Sequence, residues 1–98
     1  MKTIILLNKT GTFAQNKDIA RDIRLQEIVP ALERNEDVIL DFQGISSATQ
    51  SFIHALISEI LRQYGGVALE HITFKACNEE IKQIISIVLD YMEEGGRE

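Results

Sequence analysis

Val38-Ile39-Leu40-Asp41-Phe42-Gln43-Gly44-Ile45-Ser46-Ser47-Ala48-Thr49-Gln50-Ser51-Phe52-Ile53 decides how the rest of the chain is arranged. Four of its first five residues are apolar, led by β-branched Val38 and Ile39, so Val38–Phe42 reads as a buried strand. Gly44 interrupts the run and permits a tight turn. Ser46, Ser47, Thr49 and Ser51 follow, and then Phe52, Ala55, Leu56, Ile60 and Tyr64 recur at helical spacing. The pattern is strand, hydroxyl-rich loop, helix start. Backbone N–H groups and small hydroxyls converge there, a natural seat for an anion or phosphate.

Working outward, Ile4–Leu7 reads as a first strand buried on both faces or nearly so, and Lys9–Thr12 as a turn with Gly11 free to take positive φ. Thr12–Ala14 fits either a short return strand or a loop anchored by Phe13. Asn16 caps a helix expected over Asn16–Arg34. Its apolar positions are out of phase: Ile19, Ala20 and Ile23 share one side, whereas Leu25, Ile28, Val29 and Leu32 fall roughly opposite. A straight helix with one buried stripe does not do this, and Pro30 disturbs the same segment. Either the helix is covered on both sides or the chain breaks near Arg24, and the expectation is one irregular or kinked helix, kinked near Arg24 or Pro30, with Asn35–Asp37 as its exit turn.

Downstream, a helix from about Thr49 to Tyr64 ends at Gly65-Gly66. Val67–Leu69 leads into a third strand, Glu70–Cys77. There Ile72, Phe74 and Ala76 alternate with His71, Thr73 and Lys75, as on an edge strand or an open sheet face. Asn78 caps a last helix whose stripe is Ile81, Ile84, Ile85, Val88, Leu89 and Met92, and Glu93–Glu98 reads as a frayed polar tail. The β-α-β-α-β-α order predicts one small α/β domain with a mainly parallel sheet and right-handed crossovers.

Ninety-eight residues, 45% apolar and 26% charged, suit one core and no second domain. A net charge of −5 without a basic cluster argues against nucleic acid as the main partner. The apolar runs are too short for a membrane span or a signal peptide. The single cysteine fits a reducing cytoplasm. It also makes, with two scattered histidines, a structural zinc site improbable, and no cofactor is expected.

The segment Asp41-Phe42-x-Gly44-Ile45-x-x-Ala48-Thr49-x-Ser51-Phe52 resembles the signature of the STAS-like domain family of unknown function, which is related to anti-sigma factor antagonists. Asn16-Lys17-Asp18-x-Ala20-Arg21 and the helix opened by Asn78 also resemble that family, so the likeness runs from about Thr12 to Met92. In the antagonists an Asp-Ser-Ser-Gly segment opens the same helix, and its second serine is phosphorylated by a partner kinase. Laid without gaps on this chain, that serine falls on Ser51, the aspartate on Thr49 and the glycine on Phe52. The resemblance implies a non-catalytic regulatory module. Its partner would be a kinase of the histidine-kinase ATPase type or an anti-sigma-like regulator. With all helices on one side, as in that fold, Ile4–Leu7 and Ile39 would put apolar side chains on an open face that calls for a cover or a partner chain.

Each candidate residue has a plainer reading beside it. Thr49, or Ser47 if the helix starts earlier, serves as N-cap while Ser51 occupies the first turn; the sharper reading makes Ser51 or Thr49 a phosphate switch. Asp41 is expected to satisfy loop amides after Gly44. His54, three residues beyond Ser51, is near enough to act as a base but reads as a surface or packing histidine, there being no identifiable orienting acid. Cys77 precedes a helix N-terminus, which tends to lower a thiol pKa, yet reads as packing. Arg21 and Arg24 are expected to pair with Asp18, Asp22 and Glu27, a phosphate contact being the alternative. The expected contact surface is Asp41, Gly44, Ser46, Ser47, Thr49, Gln50, Ser51 and His54. Other readings of it are a small ligand- or anion-binding domain or enzyme using the same loop, and a homodimer formed through an apolar sheet face.

Overall fold

The β-branched run expected to be central is central. In the computed structural model, which describes residues 1–95, β1 (Lys2–Ile5), β3 (Val38–Asp41) and β5 (Ile72–Lys75) form a three-stranded sheet in the order β1-β3-β5. Both pairings are parallel, with Ile4 beside Leu40 and Leu40 beside Phe74. Both crossovers step in the same direction across the sheet, and with the right-handed connection that parallel strands take this puts their helices on one face. The helical elements are α1 (Leu7–Thr10), α2 (Lys17–Ile23), α3 (Val29–Glu33), α4 (Gln50–Tyr64) and α5 (Glu79–Gly95). α4 lies in the middle of the helical layer, packed on α2 at one side and α5 at the other. A second small sheet pairs β2 (Phe13–Ala14) with β4 (Ser47–Ala48) in parallel, which makes Phe13–Ala14 a strand.

Period-two alternation sorts the strand residues onto two faces. Ile4, Val38, Leu40 and Ile72 are buried under the helices. Thr3, Ile5, Ile39 and Thr73 point the other way, where Thr3 and Thr73 are exposed, Ile39 half-buried and Ile5 47% exposed. The first strand is therefore not buried on both faces. It also ends at Ile5, because the chain coils into α1 at Leu7. The apolar part of the open face reduces to Ile5 and Ile39 between threonines, since Ile4 and Leu6 are both buried.

The phase break in the first long helix has a definite form. Between α2 and α3, residues Arg24–Ile28 make a π turn, with Val29 N–H bonded to the Arg24 carbonyl. In a regular helix Ile23 and Ile28 would sit about 140° apart. A widened turn absorbs one residue, so both are buried together and Leu25 is displaced outward, 49% exposed. Pro30 explains the location. Its ring would clash with the carbonyl of Gln26 in a tight helix, and the widened turn lies over that carbonyl.

Three further expectations are corrected. Gly65–His71 forms a 3-10 helix instead of a lead-in to strand, so the third strand begins at Ile72 and ends at Lys75. Ala76, with φ 59°, has already left the sheet. The expected tail is partly helix: α5 continues through Gly95, and 96–98 lie outside the described residues.

Lys2, on the helix-facing side of β1, reaches Glu27 at 3.5 Å, and Lys9 reaches it at 2.8 Å. Thus Glu27 is held by the lysines, not by the arginines of its own helix. Its side chain is 22% exposed. Burial raises the Glu27 pKa, but hydrogen bonding and charge from Lys9 and Lys2 outweigh it and leave the pKa lowered. A lowered folded-state value means stability that is full above the ordinary carboxylate pKa and lost as pH falls through the lower folded value. Acid titration of urea unfolding should show this loss, and Glu27→Gln should remove that component while costing about 1 kcal/mol or less at neutral pH.

Candidate functional site

At the end of β3 the chain must reverse before entering α4. Ile45 N–H donates to the Phe42 carbonyl at 3.0 Å, closing a four-residue turn whose third position, Gly44, has φ 86°. Such a turn favours glycine there. A side chain at Gly44 would also meet Leu7, whose Cδ2 lies 2.7 Å from the position of a β-carbon. Asp41, 8% exposed, accepts from Gln43 N–H at 2.9 Å. The amide it satisfies therefore lies before Gly44, not after it.

The following segment is tied down on two sides. Ser46 N–H donates to the Thr12 carbonyl at 2.8 Å, and the Ser46 hydroxyl donates to the same oxygen at 3.1 Å. Thr49 N–H donates to the Ala14 carbonyl at 2.9 Å. From the opposite side, Asn78 Nδ2 donates to the Ser46 carbonyl at 2.9 Å while its Oδ1 accepts from Ile81 N–H at 2.9 Å. One amide side chain thus caps α5 and clamps the segment that precedes α4. Removing it as Asn78→Ala should cost about 2 kcal/mol, from a lost cap and a lost hydrogen bond of about 1 kcal/mol each. Asn78→Asp keeps the cap and loses the donor, so denaturant unfolding should place it between wild type and the alanine variant.

The four hydroxyl residues therefore have separate fates. The Thr49 Oγ1 accepts from Phe52 N–H at 3.1 Å, which makes Thr49 the N-cap of α4. Ser46 is bonded to Thr12, and Ser47 is half-buried within β4. Ser51, in the first turn of α4, is exposed, and among the described residues its hydroxyl has no hydrogen-bond partner.

Ser51 opens onto a groove of about 460 Å³ between three helices. Its floor is α4, through Gln50, Ser51, His54 and Ala55; α2 contributes Lys17, and α5 contributes Val88 and Tyr91. His54 meets Tyr91 edge-on, with ring centroids 6.2 Å apart and planes at 62°. Of the residues singled out from sequence, the fold gathers Gln50, Ser51 and His54 here. Asp41, Gly44, Ser46, Ser47 and Thr49 do not line it. Lys17, Val88 and Tyr91 were not anticipated as site residues. The available signal was Tyr91, an aromatic residue off the buried stripe of its helix and 63% exposed.

Arg24 departs from its expected surface ion pair. Its Nη1 donates to the Ala55 carbonyl at 2.6 Å, joining the π turn to α4 beside the groove. Cys77 is half-buried, and burial pushes its thiol pKa up. It is therefore not activated as a thiolate by the adjoining helix. No group of metal-ligating side chains occurs among the described residues, and no described helix is long and apolar enough to cross a membrane.

These features coincide with what the comparisons found. A family model described as a STAS-like domain of unknown function matches residues 20–82, from the buried Ala20 of α2 through the first turn of α5. No curated protein and no solved structure was found to match. The matched span takes in β3, the Gly44 turn, the cap at Thr49, all of α4 and β5. With its parallel sheet, and helices on one face of that sheet, the chain belongs to the family of STAS-like domains of unknown function.

Proposed function

We propose that this domain is a non-catalytic regulatory module that binds another protein through the first turns of α4 and the groove beside them, and that phosphorylation of Ser51 governs the contact. The observation that carries this reading is the contrast between two neighbouring hydroxyls. Thr49 is committed to capping α4, while Ser51, two residues on, is exposed and its hydroxyl is unengaged among the described residues. A phosphate at Ser51 would bring nearly two negative charges beside the free N–H groups of the helix start, where the fold tolerates them. A docked partner would meet those charges directly.

The resemblance to anti-sigma factor antagonists supports a kinase of the histidine-kinase ATPase type, or an anti-sigma-like regulator, as the partner class. The test is a titration of the partner, captured by cross-linking from the native cells, against three forms of the chain. Ser51→Ala is expected to bind as wild type does, and Ser51→Asp to bind much more weakly. Equal affinity for both variants would remove the switch.

A further inference from the structure

The chain carries a net charge of −5, yet the helix bordering the groove on the α2 side presents a basic face. Lys17, Arg21 and Arg24 are spaced i, i+4, i+7 and so share one face of the helix. Two contacts show where that face points: Lys17 lines the groove, and Arg24 bonds to the Ala55 carbonyl on its floor. Arg21 lies between them and is exposed. Asp22 falls about 100° or more round the helix from all three, whereas Asp18 lies about 60° from Arg21, on the side away from Lys17. Farther along α4, Glu59 is neutralised by Arg62. The start of α4 adds its own positive end.

The opposite wall is apolar, formed by Val88 and Tyr91 of α5. Between the walls lies α4, where small Ser51 and Ala55 stand one turn apart beside the larger Gln50 and His54. Every lining residue stands on a helix, α4 beneath and α2 and α5 at the sides, and a further helix can pack on such a surface ridge into groove. No sheet edge opens into it, so an extended peptide would find no ladder to join.

From this charge and shape we propose that the groove receives an acidic amphipathic helix of the partner protein. Its apolar stripe packs on half-buried Ala55 and exposed Tyr91, and its carboxylates face Lys17 and Arg21. The inference rests on the protein-binding reading above and supplies the sign of the switch: a phosphate on Ser51 lies on the floor and repels an acidic helix.

The test is selection of peptides from a displayed library of helical sequences on the wild-type chain, followed by titration of the selected peptides. Winners should carry Asp or Glu alongside apolar residues at i, i+3/i+4 spacing. Their affinity should fall at least about tenfold with Lys17→Glu/Arg21→Glu or with Tyr91→Ala, fall with added salt, and be unchanged by Lys82→Glu on the far part of α5. A selection yielding no binders, basic or uncharged winners, or binders indifferent to Lys17→Glu/Arg21→Glu would overturn the proposal. The two readings fail separately. Binding that needs Lys17 and Arg21 but is equal for Ser51→Ala and Ser51→Asp keeps the acidic helix and removes the switch. Native-partner binding weakened by Ser51→Asp but indifferent to the charge reversal keeps the switch and removes the acidic helix.

Discussion

Ile28→Ala will lower the free energy of unfolding by about 2–5 kcal/mol, whereas Leu25→Ala, three residues earlier, will change it by less than about 1 kcal/mol. Ile28 is 0% exposed and Leu25 is 49% exposed, though both sit in one helical segment and both count as apolar in any periodicity. The difference comes from the π turn. By widening at Arg24–Ile28 the helix keeps Ile23, Ile28 and Ala31 on the core side and turns Leu25 outward. Truncating Ile28 leaves a cavity under α4 that close-packed neighbours fill only in part. Truncating Leu25 removes a side chain that already stands half in water. Urea unfolding of the two variants measures both values, and equal losses would mean a regular helix with Leu25 turned inward.

Ser51→Asp is expected to act in opposite directions on fold and on binding. In the first turn of α4 a carboxylate faces the positive end of the helix dipole, which should stabilise the fold by about 0.3–1 kcal/mol. The same charge, on the floor of the groove, should lower partner affinity at least about tenfold. Ser51→Ala should leave stability within about 0.5 kcal/mol and binding unchanged. Thr49→Ala supplies the contrast, because its hydroxyl caps α4 through Phe52 N–H, and its loss should cost about 1 kcal/mol of stability. Opposite signs for Ser51→Asp in melting and in binding would separate a switch from ordinary damage to the fold. A variant that bound weakly because it had unfolded would show losses in both.

The parts of the fold that were legible in the sequence are those where one periodicity dominates. Val38–Asp41 is a β-branched strand ended by a glycine turn, and Ile81, Ile85 and Val88 keep a helical stripe that is buried as expected. Ile19–Leu32 declared a phase break but not its form, because an extra residue in a π turn and a simple kink leave the same pattern of apolar positions. Val67–Leu69 has strand-like composition, yet it follows two glycines and coils into a 3-10 helix before the sheet begins. A propensity summed over three residues is too weak to resist that.

The candidate site was legible only in part, for a related reason. Ser51, Gln50 and His54 are local to one helix and follow from its register. Lys17 and Tyr91 reach the same groove only because α2 and α5 flank α4, and the one local hint is that Tyr91 stands off the buried stripe of its helix. Arg24 was expected to find a carboxylate nearby in sequence, but its partner is the Ala55 carbonyl, 31 residues away. Lys2 and Lys9 take Glu27 instead, through the placement of β1 and α1 beside the π turn.

Two hydroxyls stand at one helix start, one consumed by the cap and the other exposed with no partner among the described residues. The most direct measurement is mass-spectrometric mapping of phosphate on the chain isolated from its own cells, across growth and stress conditions. Phosphate on Ser51, with none on Thr49 or Ser46, is the predicted result. Phosphate on Thr49, or a Ser51 that stays unmodified under every condition, would contradict it.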